Sequence, residues 1–273
     1  MTFSIVARSA DGESWGVAVA SKVLAVGAVV PAAVAEVGAI ATQADANVAY
    51  KGLALSHLDE GATASVALQR LLEEDTGRDE RQVGIVDVDG GSASHTGQAC
   101  IAWAGSLTGD GYAIQGNCLV GSEVVDAMEA AWAGADADAS FAKQLLDALA
   151  AGDSAGGDKR GRQSAALLVV REGAGYGGGD DIDVDLRVDD HVTPIDELAR
   201  LLDLNELYLT ASTEEEKVAV TDELRRELED FARTEGHPVF ATRVGTENYE
   251  MRVSPDLAWI DQKVLDIVQR GGA

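Results

Sequence analysis

The chain opens as short apolar segments broken by turns. Thr2–Arg8 is made of strand-forming residues, the turn SADGE follows, and WGVAVASK resumes as a second strand. The Asp-Gly step inside that turn is a hairpin signal. GAIATQA (Gly38–Ala44) reads as a third strand. Both faces of these strands carry Ile, Val or Ala, which predicts a sheet covered on both sides. Over residues 53–74 the spacing turns helical: Leu68, Leu71 and Leu72 share a stripe, and Thr63 is placed to cap it. Strands are predicted again at 82–87, 92–97 and 111–117, helices at 122–132 and 139–149, and closing strands at 163–172 and 181–190.

Strands and helices thus arrive in blocks. That order fits two stacked sheets between helical layers better than a doubly wound parallel sheet, whose strands and helices alternate one by one. Short links between strands favour antiparallel pairing. After His191 the character changes. Thr193-Pro194 is a cap followed by proline at the first helical position, predicting a helix to about Leu209. Thr213 with Glu216 forms a capping box that predicts a second helix to about Arg233. Ser254-Pro255 repeats the cap-proline pattern before a last predicted helix at 257–268. The expectation is an α+β chain with domains at 1–192 and 193–273, the second small and mainly helical.

Composition narrows the function classes. Of 273 residues, 46% are apolar, enough for a sizeable core. Acidic residues number 47 against 21 basic ones, a net charge of −26 spread along the whole chain. A uniform excess suggests a surface tuned for high salt, where screening removes self-repulsion; the composition is similar to that of proteins from salt-accumulating archaea. It argues against nucleic-acid binding, which needs a basic patch. Cys100 and Cys118 read as small buried hydrophobes rather than a disulfide scaffold. The four histidines are scattered, so no metal site is expected. The N-terminus lacks a basic start followed by a long apolar stretch, and the apolar segment 17–41 is interrupted by Ser21, Lys22, Pro31 and Glu36. No membrane partner is expected, and the cytoplasm is the expected location.

Few conventional active-site motifs appear: there is no P-loop lysine and no H-E-x-x-H. GYGGG at 175–179 reads as a strand-connecting loop, and DDIDVD as a solvated strand edge. Position two is more informative. Removal of Met1 before the small Thr2 would leave a free α-amine beside a β-hydroxyl. Such an amine titrates near pH ~7.7–8, so part of it is an unprotonated base at neutral pH. One residue then supplies nucleophile and base.

Residues 2–191 resemble a family catalogued as domain of unknown function 1028, similar to N-terminal nucleophile (Ntn) hydrolases. The matching stretches are MTFSIVAR, GVAVASKVLAVGAVVP, GAIATQADAN, RQVGIVD, HTGQACIAWAG, TGDGYAIQGNCLVG, GGDKRGRQSAALLVV and DLRVDDH. The resemblance implies a four-layer αββα Ntn-hydrolase sandwich, with Thr2 at the nucleophile's position. It implies a role for Lys22, at the end of the second strand, in lowering the amine's pKa or holding an oxyanion. The third strand offers Gln43, with Asp45 and Asn47 just beyond, but no lysine, a departure from the proteasome type. Asn117, or its backbone, falls where the superfamily donates to the oxyanion. Asp158, Arg160, Gln163 and Ser164 fall in the segment that steadies the nucleophile's amine. Arg160 and Arg162 suggest a bidentate clamp for a substrate carboxylate. Asp110 and His95 are weaker candidates. The implied activity is hydrolysis of an amide bond in a small, anionic substrate, without a cofactor.

The C-terminal part, about 193–270, resembles a small domain appended to this family and named for peptidoglycan binding, on PIDELARLLDL and ENYEMRV…WIDQKVLDIV. The charge composition argues against that name. It reads instead as an interaction or oligomerisation domain, and a homo-oligomer, a dimer, is expected. The alternative from another class is a non-catalytic binding or scaffold protein that kept the fold; a cell-wall binder would need export.

Overall fold

The computed structural model describes residues 2–271. The expected removal of Met1 concerns a residue outside that range. The chain forms two compact units, Met1–Leu202 and Asp203–Ala273.

In the first unit the order is β1 (Thr2–Arg8), β2 (Trp15–Ser21), α1 (Val26–Val29), β3 (Pro31–Val34), β4 (Gly38–Ala44), α2 (Ala49–Asp59), α3 (Ala64–Glu74), β5 (Arg81–Asp87) and β6 (Ser92–Thr96). Then come β7 (Ala104–Gly109), β8 (Tyr112–Asn117), α4 (Glu123–Ala133), α5 (Phe141–Ser154), β9 (Ser164–Val170), β10 (Ile182–Val188) and α6 (Pro194–Leu209), which runs across the division between units. Six strands form one sheet in the order β10-β9-β2-β1-β8-β7, and four form a second in the order β3-β4-β5-β6. Every pairing within both is antiparallel.

Side-chain alternation explains how the sheets stack. On β1, Phe3, Ile5 and Ala7 join Met128, Leu145 and Leu149 of α4 and α5. Val6, with Val17 and Val19 of β2, points the other way, to Ala39, Ala41 and Val86 of the second sheet. The far face of that sheet, Ile40, Val83 and Ile85, is covered by Tyr50, Leu58, Leu68 and Leu71 of α2 and α3. Both faces of the central strands are therefore dry, which is why they carry no polar alternation over most of their length.

The helices begin where side chains satisfy their first N–H groups. Thr63 accepts from Val66 N and Ser140 from Lys143 N. Asp87, at the end of β5, adds an acceptor for Ala64 N at 2.8 Å. The short α1 and the strands β3 and β7 are not foreseen from the sequence, because small residues such as Ala and Gly dominate them and give weak periodicity.

The second unit continues with β11 (Lys217–Ala219), α7 (Asp222–Thr234), α8 (Phe240–Thr246), β12 (Trp259–Asp261) and α9 (Gln262–Gln269). Two predicted helix starts are corrected here. Glu216 does reach back to Thr213 N at 2.9 Å. However, Glu216 also pairs with Arg252 at 3.1 Å, and the next residues leave as β11 to pair with β12. The helix waits for Thr221, whose side chain caps α7. Likewise Ser254 Oγ takes the Trp259 N–H at 2.9 Å, closing a turn instead of opening a helix at 257. The last helix starts at Gln262, capped by Asp261. Arg252 and Asp261, both buried, hold this unit together at 2.8 Å, around a core of Leu228, Phe240, Tyr249 and Ile260. Among the described residues, no helix is long and apolar enough to cross a membrane.

Candidate functional site

Thr2 stands at the head of β1, in register with Ser21 of β2 on one side and Asn117 of β8 on the other. Being even-numbered on β1, like Val6, it faces the second sheet, and it is only 4% exposed. Its Oγ1 lies 3.1 Å from Ser21 Oγ, where either hydroxyl can donate. Its carbonyl oxygen accepts from two side-chain amides, Gln43 Nε2 at 3.3 Å and Asn117 Nδ2 at 3.4 Å.

The layer between the sheets thus changes character along its length. One end is Val6, Val17, Val19, Ala41 and Val86. The end at Thr2 is a connected set of buried polar groups. Ser4 Oγ donates to Gln43 Oε1 at 2.7 Å, and Gln115 Nε2 donates to Ser4 Oγ at 2.6 Å. Gln82 Oε1 accepts from Gln43 Nε2 at 2.8 Å and Asn117 Nδ2 at 2.9 Å. Buried amides of this kind are costly unless they are hydrogen-bonded, and here they bond one another, Gln115 Oε1 alone among them lacking a partner.

A second ring of residues fixes the end of β2. Ser164 is in register with Ser21. Its hydroxyl donates to Val23 O at 2.6 Å and accepts from Val26 N at 3.1 Å. The buried Asp158 accepts from Lys22 N at 3.0 Å and from Arg160 Nη2 at 2.8 Å. Arg162 Nε binds both oxygens of Asp153, at 2.8 and 2.9 Å. Gln163 N donates to Ser21 O at 3.2 Å, and its side chain donates to Asp190 at 3.1 Å.

The structure therefore brings Thr2, Gln43 and Asn117 into contact, with Ser164, Asp158 and Gln163 bound to the Ser21–Val26 segment. Arg160 and Arg162, suggested as a clamp, already pair with Asp158 and Asp153. Lys22 meets Asp158 through its backbone, with its side chain half-buried. Asn47 belongs to a separate cluster. There Asp75 accepts from Tyr50 OH at 2.8 Å, Gly77 N at 2.7 Å, Arg81 Nε at 2.9 Å and Asn47 Nδ2 at 3.3 Å. The Arg81 guanidinium holds the Asp75 carboxyl well below the usual carboxylate range. Burial, and then Asp75 itself, pushes the Tyr50 phenol up. His95 Nε2 sits 2.8 Å from Arg78 O, beside a groove of about 800 Å³ lined by Ser65, Leu68 and Leu72. Asp110 lies in the tight turn between β7 and β8. Cys100 and Cys118 are free, and burial pushes the Cys100 thiol up. Among the described residues, no group of three or more His, Cys, Asp or Glu is placed to hold a metal ion.

Sequence reasoning missed Ser4, Ser21, Gln82 and Gln115. The signal was partial: Ser21 and Gln82 are polar residues on strand faces otherwise made of Trp, Val or Gly, whereas Ser4 and Gln115 share theirs with Thr2 and Asn117.

These elements define a protein of mixed helices and strands whose first unit holds two antiparallel sheets, with a buried threonine heading a central strand. Residues 2–198 match the family described as "Family of unknown function (DUF1028)", and the chain belongs to it. A crystal structure of a protein from Silicibacter pomeroyi, described as a member of the same family, is similar. It shares 31% identity at a TM-score of 0.68, over 75% of this chain and 89% of that one. Among curated proteins, none matches the sequence significantly.

Proposed function

We propose that the protein is an N-terminal nucleophile amidohydrolase acting through Thr2. The observation that carries this reading is the setting of Thr2. It heads a central strand, its hydroxyl is on Ser21 Oγ at 3.1 Å, and its carbonyl is held by Gln43 and Asn117. The order helix, sheet, sheet, helix supports the four-layer αββα Ntn sandwich.

In this mechanism, excision of Met1 frees the Thr2 amine. Thr2 Oγ1 attacks an amide carbonyl carbon while its proton passes to that amine. The carbon–nitrogen bond breaks, and the leaving amine takes the proton. Water then hydrolyses the ester left on Oγ1 and returns the hydroxyl. The substrate proposed is small and anionic, and its anionic group would have to compete with Asp153 for the half-exposed Arg162. The net charge of −26 supports a protein adapted to high salt, and its proposed place of action is the cytoplasm. The second unit is proposed to mediate homodimer formation.

A test is the pair Thr2→Ala and Thr2→Ser, screened against a panel of small amides. Thr2→Ser should retain turnover; Thr2→Ala should abolish it and keep the fold, losing about 1 kcal/mol with the hydrogen bond to Ser21. Turnover retained in Thr2→Ala rules the mechanism out. One observation favours a second reading, a non-catalytic scaffold: at 4% exposure, the Thr2 side chain is enclosed as a structural strand-end residue would be.

A further inference from the structure

We propose that Gln82 is the positioning residue of the Thr2 site, orienting the two amide donors that hold the Thr2 carbonyl. The inference rests on the reading of Thr2 as a nucleophile. Gln82 lies on β5 in the second sheet, is fully buried at 0% exposure, and makes no direct hydrogen bond to Thr2. It acts through Gln43 and Asn117. A carboxamide NH2 carries two hydrogens. On Gln43 and on Asn117 alike, the nitrogen has Gln82 Oε1 as its short partner, at 2.8 and 2.9 Å. The same nitrogens reach Thr2 O at 3.3 and 3.4 Å. One acceptor on β5 thus sets the direction of two donors, on β4 and β8, that converge on one carbonyl.

Gln82 is itself locked. Its Nε2 faces acceptors from three segments: Gly116 O at 2.8 Å, Thr96 Oγ1 at 2.9 Å and Gly105 O at 3.2 Å. Turning the amide over would put Oε1 against two carbonyl oxygens and face Nε2 toward two N–H donors, so the environment dictates its orientation. Filling space does not require this. Further along the same inter-sheet layer, valine and alanine do so without any polar cost. The polar set is confined to the end where Thr2 stands, and every bond of Gln82 Oε1 leads to the Thr2 carbonyl. Fixing that carbonyl fixes the Thr2 peptide plane. That places the Cα from which the α-amine and Oγ1 project, while Ser21 Oγ at 3.1 Å meets Oγ1 itself. Misplacement of about 1 Å at such a centre costs roughly 100-fold in rate.

The test measures the rate at which a β-lactone probe acylates Thr2, followed by intact mass across pH, in the full-length protein. Gln82→Met keeps the length and removes acceptor and donors together. It should slow acylation roughly 10- to 100-fold while near-UV circular dichroism shows a folded protein. Gln82→Glu guards against a folding defect in the first variant. With its carboxyl protonated, it keeps the acceptor and one donor, so acylation should approach the wild-type rate at low pH. As that carboxyl ionises, the donor to Gly116 O is lost, and the rate should fall away from the wild-type profile. A purely space-filling role would not produce this added pH dependence. A wild type that labels, with a folded Gln82→Met labelling equally fast or Gln82→Glu tracking the wild-type profile, overturns the positioning role alone. A wild type, shown to lack Met1, that takes no label overturns the Thr2 reading and this inference with it.

Discussion

Gly84 and Gln115 meet across the gap between the two sheets: a Cβ on Gly84 would stand 2.0 Å from Gln115 Oε1. Gly84 shares its strand face with Gln82, two residues earlier. Its bare backbone is what admits the Gln115 side chain to the layer, where Gln115 reaches Ser4. Gly84→Ala should therefore push the sheets apart at the polar end, costing about 1–3 kcal/mol as overpacking usually does. The check is the thermal midpoint: a clear drop is expected, and an unchanged midpoint would mean that Gln115 has another rotamer available.

Asp75 sets an acid limit on stability. Its folded pKa is lowered, chiefly by the Arg81 hydrogen bond, so its stabilisation is complete above the unfolded value near ~3.9 and is lost as pH falls below it. Asp75→Asn should weaken the protein at neutral pH. The gap between variant and wild type, read by urea unfolding, should close on acidification below about pH 4. A gap that holds constant down to about pH 2 would contradict this.

In the second unit, Arg252 Nη1 binds Asp261 at 2.8 Å and Glu216 at 3.1 Å, and the side chain also donates to the carbonyls of Leu207 and Glu206. Arg252→Met leaves Asp261 buried and charged without its partner, at a cost of about 3–5 kcal/mol. Amide exchange in the second unit should rise sharply. Unchanged protection there would show the pair to be dispensable.

The charge of −26 calls for screening. Dilution from molar salt into low salt should reduce the far-UV circular dichroism signal and restore it on readdition. A signal that ignores salt would remove the high-salt reading.

Much of this architecture was legible in the chain. Block order and dry strand faces pointed to stacked sheets, and Thr63, Thr193-Pro194 and the Asp-Gly turn marked boundaries. The second unit was less so. Thr213 and Glu216 do form their local bond, but Glu216 is also drawn to Arg252, and pairing with residues some 40 positions onward turns the chain into β11. Local capping signals cannot register a partner that distant. The site divides the same way. Thr2, Gln43 and Asn117 carried a signal of position. Gln82 and Gln115 stand out in sequence only as polar residues on strand faces, and their partners appear once the sheet of β4 and β5 faces that of β1 and β8. Arg160 and Arg162 stood out for charge, yet each meets an aspartate within ten residues of itself in the sequence.

The most direct measurement is intact-mass spectrometry of the protein from its native host, after brief exposure to β-lactone and activated-acyl probes, with peptide mapping. The account expects a mass lacking Met1 and a single adduct on Thr2. A mass retaining Met1, with no adduct on Thr2, would contradict it and leave the enclosed Thr2 as part of a scaffold.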